Sequence, residues 1–126
     1  MGGRCGVIDT SQTLIVAPFA GRDRQFQLRL GEISELERSQ GAGIGEITER
    51  VLNGRFYARD VWETLRLGLE GGGMPEHEAT ALMGRYHTQP IVPYVSLASR
   101  ILAACLAGTP PPETPAEPGK PPADGG

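Results

Sequence analysis

Glycine and proline punctuation sets the tightest limit on what this chain can fold into. Glycines at residues 41, 43, 45, 54 and 71–73 and prolines at 75, 90 and 93 interrupt every periodic apolar run within about four helical turns. Helices that short are marginal alone in water, and so is an isolated hairpin. The chain must therefore be assembled from many short elements that share one core. Seven of the eleven prolines fall in the last stretch, TPPPETPAEPGKPPADGG, whose largest apolar side chains are alanine and proline. Such a segment cannot bury enough surface to offset the entropy of ordering it, so residues 109–126 are expected to be a disordered or polyproline-II-like tail. Residues 13–108 are left as a single domain, and residues 1–12, rich in glycine and weakly patterned, as a flexible N-terminus.

Within 13–108 two periods succeed each other. Residues 13–17 and 25–30 read as strands around a turn-prone stretch, 18–24; in the second, Phe26, Leu28 and Leu30 alternate with polar neighbours. The period then becomes helical. Leu30, Ile33 and Leu36 mark a helix ending near Gly41, with acids early, where the helix dipole favours them. A second helix spans 46–52, with Ile44, Ile47, Val51 and Leu52 on one face. A third spans 58–69 on Ala58, Val61, Trp62, Leu65 and Leu69, and the triple glycine stops it. A fourth opens at Pro75 and carries Ala79, Leu82, Met83 and Tyr86. The fifth covers 94–106, with Val95, Ala98, Ile101, Leu102 and Cys105 inward. The expected class is α+β: a short N-terminal β-hairpin, four to five short helices, and the tail.

Composition and spacing exclude several functions. The net charge is −3, and the tail alone holds three acids against one lysine, which leaves the folded part nearly neutral. A near-neutral domain has little counterion-release drive toward DNA or RNA, so no nucleic-acid partner is expected. No apolar run approaches the roughly 20 residues of a membrane span, nor is a secretory leader legible, so no membrane partner and a cytoplasmic location are expected. Cys5 and Cys105, far apart, are expected to be free thiols in a reducing compartment. His77 and His87 lack metal-ligand spacing and nothing suggests a nucleophile with its base, so no metal, no cofactor and no enzymatic activity are expected. The glycines at 41–45 follow a helix rather than a strand and lack a following Lys-Ser/Thr, so they form a connector rather than a phosphate loop. What remains is an aromatic group at the start of the third helix: Phe56, Tyr57 and Trp62, the sole tryptophan. Trp62 reads first as a core anchor beneath the hairpin. Any of the three left exposed is expected to lie in or beside a partner surface, where aromatic residues are enriched.

The order of local motifs from Arg24 to His87 is also informative. Leu28-Arg29-Leu30-Gly31, Leu36-Glu37, the glycines of 41–45, Gly54-Arg55-Phe56 with Arg59-Asp60, and the glycine-rich exit at 68–73 follow one another at set spacings. In that order they resemble the gene-transfer-agent and phage tail family labelled tail assembly chaperone, also labelled tail tube protein. The stretch through Phe19 is longer than the family's usual opening, and the tail is not part of the resemblance. The resemblance implies a factor of tail morphogenesis. Its partners would be the tape-measure protein, coated until tube subunits polymerise around it, or the tail-tube subunits themselves, with self-association open.

Three classes follow: an assembly chaperone, a structural tube or adaptor subunit kept in the particle, and a small helical regulator or adaptor unrelated to tails. Tube subunits are expected to be β-rich, so helical content far below half would favour the second class. A basic groove would favour the third.

Overall fold

The computed structural model describes residues 10–108, so the expectations for residues 1–9 and for the tail from residue 109 onward lie outside the described residues. A single 3-10 turn, Thr10–Thr13, leads into strands β1 (Leu14–Phe19) and β2 (Arg22–Gln27). Five helices follow: α1 (Leu30–Gln40), α2 (Ile44–Leu52), α3 (Ala58–Gly71), α4 (Glu76–Gly84) and α5 (Val92–Ala107). The chain is therefore α+β, a two-stranded antiparallel hairpin followed by helices.

The hairpin is tighter than its sequence suggests. Leu14 pairs with Gln27 and Phe19 with Arg22, so the turn is only Ala20-Gly21, at φ 55° and 88°. Two successive left-handed residues match the strands' right-handed twist, and Ala20 adopts this conformation without the Asn-Gly signal that usually announces it. Ile15, Ala17 and Phe19 face the core, while Val16 and Pro18 face outward. The expected alternation of the second strand stops early. Phe26 and Leu28 are buried, but Leu30 is 78% exposed, because the chain has already entered α1. Gln27, expected to be wet, is buried and donates its side-chain N–H to the Thr13 hydroxyl at 2.8 Å.

α3 lies at the centre, against β2, α1, α4 and α5. Its stripe is broader than expected: Val61, Leu65 and Leu69 are joined in the interior by Thr64, Leu67 and Gly68. Two stripe residues expected inside, Ala58 in α3 and Leu52 at the end of α2, are exposed, since each sits at a helix terminus beyond the reach of the core. The glycines of 71–73 do more than stop α3. A Cβ on Gly71 would lie 1.8 Å from the Gln27 carbonyl oxygen, and one on Gly72 would lie 2.1 Å from that of Gln25. The last turn of α3 thus rests directly on the β2 backbone and covers that edge of the hairpin. Only Gly73, at φ 117°, is used for its conformation.

The C-terminal helices also begin differently. Pro75 caps α4 rather than opening it, and Tyr86 lies beyond α4 in the turn that follows. Pro93, read as a separator, sits inside the first turn of α5, where a missing N–H costs nothing. α5 runs antiparallel along β1 and packs on α2 and α3.

Candidate partner-binding surface

The three aromatic residues singled out by sequence do not form one cluster. Tyr57 is 65% exposed, Phe56 and Trp62 are half-buried, and no ring contact joins them among the described residues. Tyr57 instead lies under the Arg50 guanidinium, 4.8 Å from its ring centroid. Arg50 in turn forks onto the fully buried Asp60 carboxylate, with nitrogen–oxygen distances of 3.0 and 2.8 Å. Asp60 also accepts the Tyr57 backbone N–H at 2.8 Å, capping α3. The Asp60 hydrogen bonds raise the Arg50 pKa further, so this charge is permanent. The arrangement welds α2 to the entrance of α3, and it explains the Arg-Asp step in the sequence as architecture.

Trp62 belongs to a different group. Its ring lies 5.4 Å from that of Tyr94 and 6.1 Å from His87. Tyr94 continues to Tyr86 and Phe19, at 5.9 Å each, and Phe19 to the buried Phe26 at 5.9 Å. A chain of rings therefore runs from the core out to a half-exposed rim. Tilted and edge-on contacts at these separations contribute about 0.5–1.5 kcal/mol each beyond burial. Sequence reading missed Phe19, Tyr86 and Tyr94 because they come from three separate elements.

The rim opens onto a seam between β1 and α5. At one end a hollow of about 330 Å³ lies between the hairpin turn and Tyr86, Pro93, Tyr94 and Leu97. At the other, a hollow of about 450 Å³ is lined by Leu14, Ile15, Val16, Arg100, Ala103, Ala104 and Gly108. The seam's β1 side is apolar and open to solvent: Val16, which lines it, is 52% exposed. On the α5 side the signal was legible, since α5 carries one charge, Arg100, in 16 residues. A helix that apolar has too little wet face for an isolated surface position.

The face formed by α1 and α3 is charged and self-paired. Glu32, Glu35, Glu70 and Glu76 border a hollow with Arg38 and Arg66. Arg66 bonds Glu63 and Glu70, and Arg29 holds Glu32. The Arg29 hydrogen bond keeps the Glu32 carboxyl below its usual value, whereas burial pushes Glu70 up. Cys105, expected inside, is half-buried; burial raises its thiol to about 11, and it is a free thiol that donates to the Leu102 carbonyl. Cys5 lies outside the described residues. Among the described residues no His, Cys, Asp and Glu group could hold a metal, and no helix is long and apolar enough to cross a membrane.

Residues 13–108 match the family model described as phage tail tube protein, GTA-gp10. The match includes residues 13–19, the stretch through Phe19 that is longer than the family's usual opening. No curated protein and no solved structure matches the chain.

Proposed function

The chain belongs to the phage tail tube protein, GTA-gp10 family, and we propose that within it this protein is a non-enzymatic assembly chaperone that holds the helical tape-measure protein until the tube polymerises. What carries this reading is the balance of elements. Helices of 11, 9, 14, 9 and 16 residues accompany one hairpin of two 6-residue strands. A subunit that builds a tube wall needs strands to share with its neighbours, and one hairpin with an edge already covered by α3 offers few. A helical scaffold with an apolar, aromatic seam suits an amphipathic helix, which docks by inserting anchors at helical spacing into such a groove.

The family description favours a second reading, a tube or adaptor subunit that remains in the particle and binds copies of itself. Capture of the tape-measure protein by the tagged chain, with and without Tyr94→Ala, tests the first. The chaperone reading expects capture that falls at least about tenfold on losing a central aromatic anchor. Capture unaffected by Tyr94→Ala, or absent altogether, would move the partner site or the function elsewhere.

A further inference from the structure

We propose that the outer edge of β1, centred on Val16, receives an extended segment of a partner protein as a third strand of the sheet, apolar where it lies on α5 and carrying a carboxylate for Arg100. The inference concerns the end of the seam away from Tyr94, and it stands whether or not a helix docks at the aromatic end.

Backbone geometry identifies the edge. A two-residue turn makes Phe19 and Arg22 a hydrogen-bonded pair, and such pairs alternate with non-hydrogen-bonded ones along an antiparallel ladder. Val16–Gln25 and Leu14–Gln27 are therefore non-hydrogen-bonded pairs, whose backbone groups point away from the hairpin. The contact with α3 agrees, since the carbonyls that its last turn meets are those of Gln25 and Gln27. On the opposite edge the Val16 N–H and carbonyl have no hydrogen-bond partner among the described residues. The outward carbonyls of Leu14 and Pro18 flank them, and Pro18, with no N–H, blunts the edge next to the turn. One donor between acceptors is what an incoming strand satisfies.

The ground beside this edge fits a strand. On its α5 side the apolar hollow of about 450 Å³ is lined by Ala103 and Ala104 besides Arg100. Single methyl groups leave room for a backbone at the roughly 4.8 Å spacing of neighbouring strands. Arg100 is exposed and has no ion-pair partner among the described residues, so it can take a carboxylate from the incoming segment. The same charge decides against a second copy. Pairing β1 with its own copy about Val16 would set two Arg100 side chains near the symmetry axis, and like charges placed opposite destabilise. Main-chain bonds to Val16 then give affinity, and Arg100 selects the segment.

The test uses the full chain, ¹⁵N-labelled. In the free chain the Val16 amide should exchange with solvent fast, while Ile15 and Ala17, bonded to β2, exchange slowly. The probe is an eight-residue peptide alternating valine and threonine, with glutamate at one central valine position. Its addition should slow exchange at Val16 and shift the amides of Val16, Ala103 and Ala104. A lysine in place of that glutamate should weaken binding at least about tenfold, and Arg100→Glu should reverse the preference. Val16→Pro removes only the outward N–H, at a position equivalent to that of Pro18, and should abolish binding with the melting temperature kept. No shift up to millimolar peptide, or equal binding of the glutamate and lysine peptides, would overturn the proposal. So would a Val16 amide already slow in the free chain: slowing that grows with protein concentration would give the edge to a second copy, and slowing independent of it to another part of the same chain.

Discussion

Asp60 shows how much of this structure depends on single side chains. It is fully buried and carries two jobs, accepting the α3 entrance N–H and holding Arg50 from α2. Removing one partner of a buried pair costs about 3–5 kcal/mol, because the other charge is left without compensation. Asp60→Asn is therefore expected to lower the unfolding free energy by that amount in urea titration; Glu46, 3.4 Å from Arg50 and mostly exposed, is a weak substitute. Cys105 gives a chemical prediction. With its pKa raised from 9.0 to about 11, its thiolate fraction at pH 8 is about 100-fold below that of an unperturbed thiol. Because thiolate nucleophilicity rises with pKa, alkylation by iodoacetamide should be slower by about tenfold or more than for a small reference thiol, read by mass spectrometry of the Cys105 peptide. A sequence could not show either residue's role. Asp60 is legible in sequence only as part of the Arg59-Asp60 step, because its partner lies ten positions earlier, and Cys105 reads as inward because a stripe does not reveal where the core ends.

At the scale of elements, periodicity located all five helices and the hairpin, because apolar spacing reports which face must be buried. Boundaries moved where terminal chemistry decided: the Ala20-Gly21 turn, Pro93 within α5, Leu30 turning outward at the start of α1. The triple glycine was legible as a stop, but its contact with β2 is a tertiary fact. Gly71→Ala must displace the β2 backbone and should cost about 1–3 kcal/mol or more. Gly45→Ala, with open space around it in the first turn of α2, should stabilise by about 0.4–1 kcal/mol. Chemical denaturation of the pair separates the two roles of glycine. The start of α1 adds a pH prediction. Glu32 titrates below its ordinary value of 4.5 because of Arg29, so their stabilisation is complete above that value and is lost as pH falls through the lowered one. The difference in melting temperature between the native chain and Arg29→Ala should accordingly be present at pH 7 and vanish in strong acid.

For the whole molecule, the family was legible in the order of short motifs and the apolar character of α5 in its single charge, whereas the chain of rings was not. Phe56, Tyr57 and Trp62 adjoin in sequence, but the ring chain that reaches the surface draws on the hairpin, the turn after α4 and the start of α5. No local window contains it. The central claim is that a mostly helical member of a tail-tube family holds the tape measure and does not remain in the tail. The most direct measurement is quantitative mass spectrometry of two samples from cells expressing the chain with its neighbouring genes: the proteins bound to the tagged chain, and the purified particles. The account predicts the tape-measure protein in the first and no stoichiometric amount of this chain in the second. Finding the chain at tube-subunit stoichiometry in finished particles would contradict it and make the protein part of the tail.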